Sequence, residues 1–469
     1  MQKIKIHNTL TNRKDLLNSK KNKQINLFVC GPTVYDYSHI GHARNYITFD
    51  CFVKYLRTIG YKVFYLQNIT DLDDKIIARA REKGVTPKDL ALAFEKEYVK
   101  SMKELGVNSV SKYARATAYI KEIISQIRRL LEKDFAYILK EDGIYFDISR
   151  FENYGKLSGR TALQADDGVS RIDYSKDKRN RGDFCIWKFR QQEQEPSWKS
   201  PWGQGRPGWH IEDTAITEKF FGPQYEIHGG ARDLIFPHHE AEVSLMESIS
   251  GKSPFVKYWM HVGFLTVNGQ KMGKSLGNFV AIDDFLKRWK PNYFRFFVAK
   301  NLWRSPLDYT ESVMIEVKSS LEKIEEFLSK IKNSFNSKTT QNKENIKAIK
   351  KFKNDFYAEL TDDFNTPKAF AVMFDFIKNI NSLLEKNLIS KKEAKEIYQF
   401  FEEINKIFGF IDFKKINAKI PSKINKLILE REKHRKNQDW QKADETRKEI
   451  EKNGYIVEDG KDGPIVKTI

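Results

Sequence analysis

Two histidines stand close together at the point where an apolar run gives way to a helical pattern. Residues 25–30 have the length and composition of a buried strand. Apolar residues then recur at steps of three and four over residues 43–56, which predicts a helix that begins just after His39 and His42. A helix N-terminus attracts anions through its unpaired N–H groups, and Gly41 leaves space for a phosphate or a flat ring. Taken alone, the H-x-x-H pair is equally well interpreted as a helix cap in a satisfied network.

Two lysines on a glycine-containing loop form the second candidate group. The turn residues Asn268-Gly269 predict a β-hairpin, and Lys271, Met272, Lys274 and Ser275 follow it directly. Lysines in such a loop can reach the phosphates of a nucleotide and stabilise the charge that develops on a leaving pyrophosphate. A K-x-x-K pair by itself is a common solvated surface feature, but the two motifs within one nucleotide-binding fold are far more specific together.

The elements that must position these groups alternate between strand and helix. Strand, helix and strand patterns follow one another over residues 25–66, which predicts the start of a parallel, Rossmann-like sheet. We expect an α/β catalytic domain over residues 1–300, with an inserted connective region over 113–205 whose first part, 113–134, has a helical pattern. The domains predicted to follow are an α-helical bundle over 301–412 and a small mixed α/β domain over 413–469.

The composition indicates a cytoplasmic protein with an anionic partner. The 469 residues carry a formal net charge of +19, which suits RNA, although a lysine bias spread over solvated surface would give the same total. The three cysteines, Cys30, Cys51 and Cys185, have no C-x-x-C spacing, which argues against a disulfide framework and for a reducing compartment. We find no apolar signal segment and no apolar run long enough to cross a bilayer, so no membrane partner is expected.

Several longer segments resemble one family of enzymes. They are F-V-C-G-P-T-V-Y-D from Phe28, N-I-T-D-L-D-D-K from Asn68, G-R-P-G-W-H-I-E from Gly205, H-G-G-A-R-D-L-I-F-P-H-H-E-A-E from His228 and D-D-F-N-T-P from Asp362. Together with the two motifs they resemble the cysteinyl-tRNA synthetases, a family of class I aminoacyl-tRNA synthetases, over essentially the whole chain. The resemblance implies that ATP and L-cysteine give cysteinyl-adenylate and pyrophosphate. Cysteine then passes to the 3′-terminal adenosine of cysteine tRNA, on a monomer, with Mg²⁺ accompanying ATP.

The resemblance also implies which residues handle ATP. The catalytic residues would be His39, His42, Lys271 and Lys274. The ATP-binding residues would be His39, Gly41, His42, Asp233, Lys271, Met272, Lys274 and Ser275. Asp233 would hold the ribose, although the residue itself could equally cap a turn. The loop departs from the family's usual K-M-S-K-S because Gly273 replaces a serine, and both lysines are kept.

A zinc site is the second implication of the resemblance, and here the chain departs from the family. The matching ligand positions are Cys30, Asp213, His238 and Glu242, with Asp213 where the family has a second cysteine. His238 and Glu242 are four residues apart and should share one helix face. Zinc accepts carboxylate oxygen, so we expect one Zn²⁺ to be retained in a harder site. From the residues alone, Cys30 is more simply a buried apolar group and Asp213 a helix cap.

Substrate selection follows from the same resemblance. The cysteine-binding residues would be Cys30, Thr70, Trp209 and His228. A metal that binds sulfur separates cysteine from serine chemically, so no editing domain is needed. From the residues alone, Trp209 can equally be interpreted as a core aromatic residue, and Thr70 as the cap of a helix predicted to begin there.

The C-terminal region offers a surface for tRNA. Arg431, Lys433, Arg435 and Lys436 could hold phosphates, and Trp440 could either stack on a base or belong to the core. This region argues against a related ligase that joins cysteine to an amino sugar, because such relatives lack it. A catalytically silent RNA-binding protein with a synthetase fold is the other alternative, and the intact histidines and lysines argue against it.

Overall fold

Strands and helices alternate through the first 300 residues, and helices dominate the rest. The computed structural model describes residues 3–19, 21–160, 175–273, 276–417, 421–460 and 463–468. Within these residues the strands are β1 (Lys5–Asn8), β2 (Arg13–Leu16), β3 (Gln24–Val29), β4 (Lys62–Ile69), β5 (Lys112–Arg115), β6 (Ala136–Leu139), β7 (Gly143–Phe146), β8 (Phe184–Phe189), β9 (Trp198–Ser200), β10 (Gly203–Pro207), β11 (Tyr225–Ala231), β12 (Val256–Val262), β13 (Leu265–Val267), β14 (Gln270–Lys271), β15 (Leu307–Tyr309), β16 (Tyr455–Gly460) and β17 (Gly463–Thr468).

The helices lie between these strands and make up most of the chain after residue 310. They are α1 (Ile40–Thr58), α2 (Asp74–Lys83), α3 (Pro87–Glu104), α4 (Ile120–Glu132), α5 (Ile211–Phe221), α6 (Glu240–Ser250), α7 (Ile282–Arg288), α8 (Pro291–Ala299), α9 (Glu311–Asn333), α10 (Lys343–Thr361), α11 (Thr366–Glu385), α12 (Lys391–Phe408), α13 (Phe413–Asn417), α14 (Ser422–Lys436) and α15 (Trp440–Lys452). None of these described helices is long and apolar enough to span a bilayer. The chain divides into two units, Met1–Phe410 and Ile411–Ile469.

A five-stranded parallel sheet carries the first unit. Its strand order is β12-β11-β3-β4-β5, and all four pairs of neighbours are parallel. Residues 25–29 of β3 are all buried, as residues of strands covered on both faces should be. The chain passes from β3 through α1 to β4 on one side, whereas β11 lies on the other side. The order of strands therefore reverses at β3, and ligands of such sheets bind outside the carboxyl ends of the strands at this point.

Helix α1 packs closely against the sheet. A Cβ atom on Gly229 of β11 would lie 2.2 Å from the ring of Phe49, so only glycine allows this helix to lie so near the strand. The predicted helix over residues 43–56 is confirmed, and it begins at Ile40. The helix expected after Thr70 begins later, because Asp73 caps it by accepting from the Lys75 N–H group.

An antiparallel sheet, β6-β7-β8-β10-β9, is inserted between β5 and α5. It runs from Ala136 to Pro207, within the region where short strands and loops were expected. The helical pattern predicted over 113–134 is wrong at its start, because residues up to Arg115 form β5 and pair with β4 in the central sheet. The helix α4 begins only at Ile120.

Helices α9 to α12 form a bundle with a core rich in phenylalanine. Phe352 stacks on Phe376 at a ring distance of 4.0 Å and meets Phe400 edge to face. Helix α1 packs against both α8 and α12, so the bundle and the sheet share one unit. The predicted α/β class, with a parallel sheet, an inserted region and a helical C-terminal part, is confirmed.

The second unit combines α13 to α15 with the antiparallel hairpin β16–β17. Its hydrophobic cluster consists of five buried side chains, with Tyr455 packed against them: Ile424, Leu427, Ile428, Ile450 and Val457. Trp440 is 59% exposed, so it does not belong to this core. Arg431 was expected to meet phosphate, but it is buried and pairs with Glu432 and Asp459.

Candidate functional site

The candidate residues gather at the carboxyl ends of the central strands. Cys30 directly follows β3, Thr70 directly follows β4, and Asp233 follows β11 in a short 3₁₀ turn. Because these strands are parallel neighbours, their carboxyl ends open at one edge of the sheet. Close approach of the backbone shapes this edge: a Cβ atom on Gly31 would lie 1.8 Å from the carbonyl oxygen of Asn68.

The histidine pair forms the cap of α1. His39 Nδ1 accepts from the N–H groups of Gly41 and His42 at 3.1 and 3.3 Å, and the His39 N–H donates to His42 Nδ1 at 3.4 Å. The two rings stack at 3.8 Å. Because each Nδ1 accepts, the proton of each neutral ring lies on Nε2. Burial lowers the pKa of His42 well below its usual value, and the His39 ring lowers it further.

This arrangement changes how an anion could be held at α1. The N–H group of Ile40 donates to the carbonyl of Val280, and those of Gly41 and His42 are bonded to His39. The expectation that unpaired backbone N–H groups would meet a phosphate is therefore wrong for these three residues. The imidazole Nε2–H groups are the donors that remain suited to this role.

The segment that carries the lysines adjoins the histidine pair. A Cβ atom on Gly41 would lie 3.4 Å from Met272 Cε, and the N–H group of Val280 donates to Met272 Sδ at 3.4 Å. The predicted hairpin at residues 268–269 is confirmed, with β13 and β14 antiparallel. Lys271 ends β14 and is exposed. Lys274 and Ser275 lie outside the described residues.

A buried cluster of four possible ligands adjoins Cys30. The Sγ atom of Cys30 lies 3.5 Å from Asp213 Oδ2 and 4.0 Å from Glu242 Oε1. His238 Nε2 lies 3.1 Å from both Asp213 Oδ2 and Glu242 Oε1. One donor atom from each of the four residues falls within 4.8 Å of the others. Glu242 belongs to α6, whereas His238 belongs to the turn of π-helix before it, so the two residues do not lie on one α-helix as their spacing predicted.

The chemistry of this cluster fits a metal cation. Its donors are one sulfur, one imidazole nitrogen and two carboxylates, which zinc accepts in tetrahedral sites. Within the described residues, Asp213 Oδ1 and Glu242 Oε2 are buried and have no hydrogen-bond partner. Buried polar atoms are rarely left unpaired, so a ligand that satisfies them is expected. Burial raises the pKa of Glu242, and the nearby carboxylates of Asp213 and Glu212 raise it further.

A second set of possible ligands overlaps the first. His228 Nε2 and His239 Nε2 lie 3.3 and 3.0 Å from Cys30 Sγ, and with Glu242 these residues also bring four donor atoms within 4.8 Å. The other ring nitrogen of His228 bonds to the Tyr225 hydroxyl at 2.7 Å, and that of His239 bonds to His261 at 2.8 Å. The structure therefore brings two ligand sets together around one thiol.

The residues expected to bind cysteine border the same cluster. Trp209 is 40% exposed and stacks on His238 at 4.4 Å, so it is not a core residue. Thr70 donates its hydroxyl to the buried Glu212 at 2.5 Å and is not a helix cap. His228 is buried and contacts Cys30. Asp233, expected at the ribose, is exposed at the end of β11.

Sequence reasoning missed four buried residues of this region. They are His210, Glu212, His239 and His261. His210 Nδ1 lies 2.9 Å from His238 Nδ1, and a partner on this second ring nitrogen orients an imidazole whose other nitrogen binds a metal. The sequence could have indicated two of them, because Glu212 directly precedes the predicted ligand Asp213 and His239 directly follows the predicted ligand His238.

Comparisons with known proteins agree with this geometry. Three family models match the chain: tRNA synthetases class I (C) catalytic domain over residues 16–319, DALR domain over 355–412, and cysteinyl-tRNA ligase anticodon binding domain over 417–464. A cysteine–tRNA ligase of Thermoplasma acidophilum is 43% identical over 463 residues, which is 98% of this chain and 100% of that protein. The chain belongs to the cysteinyl-tRNA synthetase family.

Other members of the family match at similar length. The cysteine–tRNA ligase of Thermococcus gammatolerans is 40% identical over 99% of both chains. Membership of this cysteinyl-tRNA synthetase family makes the chain a class I aminoacyl-tRNA synthetase, a ligase that binds ATP, an amino acid and tRNA. The near-complete coverage and the anticodon-binding match leave the amino-sugar ligase and the silent RNA-binding protein without support.

Solved structures show the same fold at low sequence identity. The Mycobacterium tuberculosis methionyl-tRNA synthetase in complex with methionyl-adenylate aligns with a TM-score of 0.60 at 14% identity, over 82% of this chain and 89% of that one. The Agrobacterium radiobacter LeuRS in its complex with tRNA and LeuAMS aligns with a TM-score of 0.63 at 11% identity, over 84% of each chain. At these identities the likeness shows that the chain shares the fold of these synthetases, and no more than the fold.

Proposed function

We propose that this cysteine–tRNA ligase activates L-cysteine with ATP at the carboxyl end of β3 and then transfers it to cysteine tRNA. The main support for the proposal is that the short segment between β3 and α1 carries two different kinds of functional residue. Cys30 leaves β3 towards the buried ligand cluster, and His39 and His42 cap the helix that follows. A sulfur-binding site and a phosphate-binding site are thus carried by one short stretch of chain.

The histidines and lysines would act on ATP by position and charge. The neutral rings of His39 and His42 would donate from Nε2 to phosphate oxygens. Each Nε2–H group keeps its proton, so these hydrogen bonds persist as negative charge develops on the pyrophosphate. Lys271 and Lys274 supply the positive charge, and Mg²⁺ accompanies the nucleotide. Asp233 at the end of β11 is proposed to hold the ribose. The reaction needs no covalent enzyme intermediate.

Cys30, Asp213, His238 and Glu242 are proposed to hold one Zn²⁺. Bound there, zinc supplies a Lewis-acid centre that prefers the soft thiolate of cysteine to the hydroxyl of serine. The chain's own contribution is to exclude water and to orient the ligands. His210 orients His238, while Thr70, Trp209 and His228 border the space for the side chain.

Transfer to tRNA would use the rest of the chain. The exposed Trp440 and the exposed Lys433 and Lys436 are suited to stack on a base and to hold phosphates. Domain limits at residues 300 and 412, a monomeric state and a cytoplasmic location stay predictions.

Cysteine-dependent ATP–pyrophosphate exchange tests the first half of the proposal. We expect exchange with cysteine and far less with serine, and at least a hundredfold loss in His42→Asn, because removing one preorganised donor of this kind costs about that much. Charging of cysteine tRNA tests the second half. Absence of exchange in the zinc-loaded protein would refute the activation step, and acylation of an amino sugar in place of tRNA would refute the acceptor.

A further inference from the structure

Arg44 is buried in α1, two residues after the histidine cap. Its side chain is among the largest that are fully buried, and it donates to three backbone carbonyls. Nη1 donates to Phe264 O at 2.5 Å, and Nη2 donates to Trp303 O at 3.4 Å and to Ser305 O. Burial lowers the pKa of this guanidinium to about 10, so it remains charged at neutral pH.

The Phe264 carbonyl lies at the base of the hairpin that ends at Lys271, and the Trp303 and Ser305 carbonyls lie in the segment that leads into β15. Phe264 directly precedes β13, and β13 pairs in parallel with β15 just beyond Ser305. The two backbone segments lie so close that a Cβ atom on Gly263 would be 2.3 Å from Ser305 O. Arg44 therefore connects the helix that carries His39 and His42 to the element from which Lys271 emerges.

Burial of the Arg44 charge, without a carboxylate partner in the part of the chain that the structure describes, costs free energy that a purely structural contact would avoid. Within the described residues, no carboxylate lies within ion-pair distance of Arg44, so backbone carbonyls alone compensate a buried charge. Replacement of buried ionic groups by apolar side chains of similar volume is often neutral for stability, and the best-attested use of such groups is to set the register between elements. The planar guanidinium presents its donors in a fixed fork and reaches carbonyls of two segments at once, whereas lysine offers only one compact ammonium group.

We propose that Arg44 is a positioning residue for adenylation, which sets the separation between the histidine cap of α1 and Lys271 at the end of β14 by holding the base of the hairpin. The inference rests on the proposed function, because it concerns the same ATP site. Arg44 acts through the two motifs and touches neither substrate. Its loss shifts the two motifs relative to each other, and a displacement of about 1 Å can cost roughly a hundredfold in rate.

The test measures each half-reaction separately in full-length, zinc-loaded protein. We expect Arg44→Gln to lower the rate of adenylate formation about a hundredfold and Arg44→Lys to recover part of it, about tenfold. Zinc content, the KM for cysteine and transfer from supplied cysteinyl-adenylate to tRNA should stay within threefold of the native values. Arg57→Gln is the matched control, because Arg57 also lies on α1 and donates to the carbonyls of Val63 and Ser109, away from the hairpin. We expect Arg57→Gln to keep the native rate.

A double-mutant cycle gives a readout that general destabilisation would not produce. In the Lys271→Ala background, Arg44→Gln should lower adenylate formation by less than about tenfold, because the group it positions is already gone. Equal losses in both backgrounds, a native rate in Arg44→Gln, or a parallel fall of adenylation and transfer would overturn the inference. Failure of the native protein to form adenylate would instead overturn the proposed function, so the two failures are distinct.

Discussion

Replacement of Asp213 by asparagine should weaken zinc binding at least a hundredfold. Asparagine keeps the shape of the side chain but removes the negative charge from an oxygen that lies 3.1 Å from His238 Nε2 and 3.5 Å from Cys30 Sγ. Loss of a residue that only hydrogen-bonds to a metal ligand already costs about 10–100-fold in affinity for the metal, so loss of a charged ligand should cost more. A hundredfold corresponds to about 2.8 kcal/mol. Asp213→Cys should bind zinc more tightly than the native chain, because thiolate is the softer ligand.

Competition with a chromophoric chelator gives the affinity directly, without an activity assay. Glu218→Gln is the matched control, since Glu218 also lies on α5 but pairs with Arg129 outside both ligand sets. His239→Asn separates the two sets: if Cys30, Asp213, His238 and Glu242 hold the ion, this variant should lose less affinity than Asp213→Asn. The reverse order would refute the reasoning and place the ion among Cys30, His228, His239 and Glu242.

Three further outcomes are expected. Gly41→Ala should lower adenylate formation at least tenfold in stopped-flow assays, because its Cβ atom would lie 2.9 Å from the His39 ring; an unchanged rate would contradict the cap geometry. Asp50→Asn should lower the free energy of unfolding by about 3–5 kcal/mol in denaturant titrations, because it leaves the buried charge of Arg295 without its partner. Burial raises the pKa of Asp50, but the charges and hydrogen bonds of Arg295 and Lys54 together outweigh this and leave the pKa below its usual value. The native chain should therefore lose this stability only as the pH falls below about 4, and the variant should lack that dependence. Trp440→Ala should raise the KM for tRNA in charging assays about tenfold and leave pyrophosphate exchange unchanged, and equal effects on both would argue against stacking on a base.

The sequence was most informative where function depends on short local patterns. The period of residues 43–56 predicts α1, and the turn at residues 268–269 predicts the hairpin, because both follow from the preferences of neighbouring residues. The family resemblance named Cys30, Asp213, His238 and Glu242, whose donor atoms the fold brings within 4.8 Å of one another from three separate segments. Spacing alone could not do so, since Asp213 lies on a different helix.

Elsewhere, contacts between distant segments override local preference. The hydroxyl of Thr70 could cap a helix, but it bonds to Glu212, more than 140 residues away, and Asp73 takes its place. Arg431 is a basic residue of the kind that contacts phosphate, but Asp459 of the hairpin pairs with it. Arg44 has no sequence signal at all, because its carbonyl partners come from two segments more than 200 residues further along the chain.

The second unit has a small core, which should limit the temperature range over which the enzyme charges tRNA. Five buried side chains hold together the described part of residues 411–469, and domains of this size bury a low fraction of their surface. On warming, this unit should melt before the sheet and the bundle do. A moderately heated enzyme would then still make cysteinyl-adenylate yet leave its tRNA uncharged, so heat would uncouple consumption of ATP from protein synthesis before it inactivates the catalytic centre.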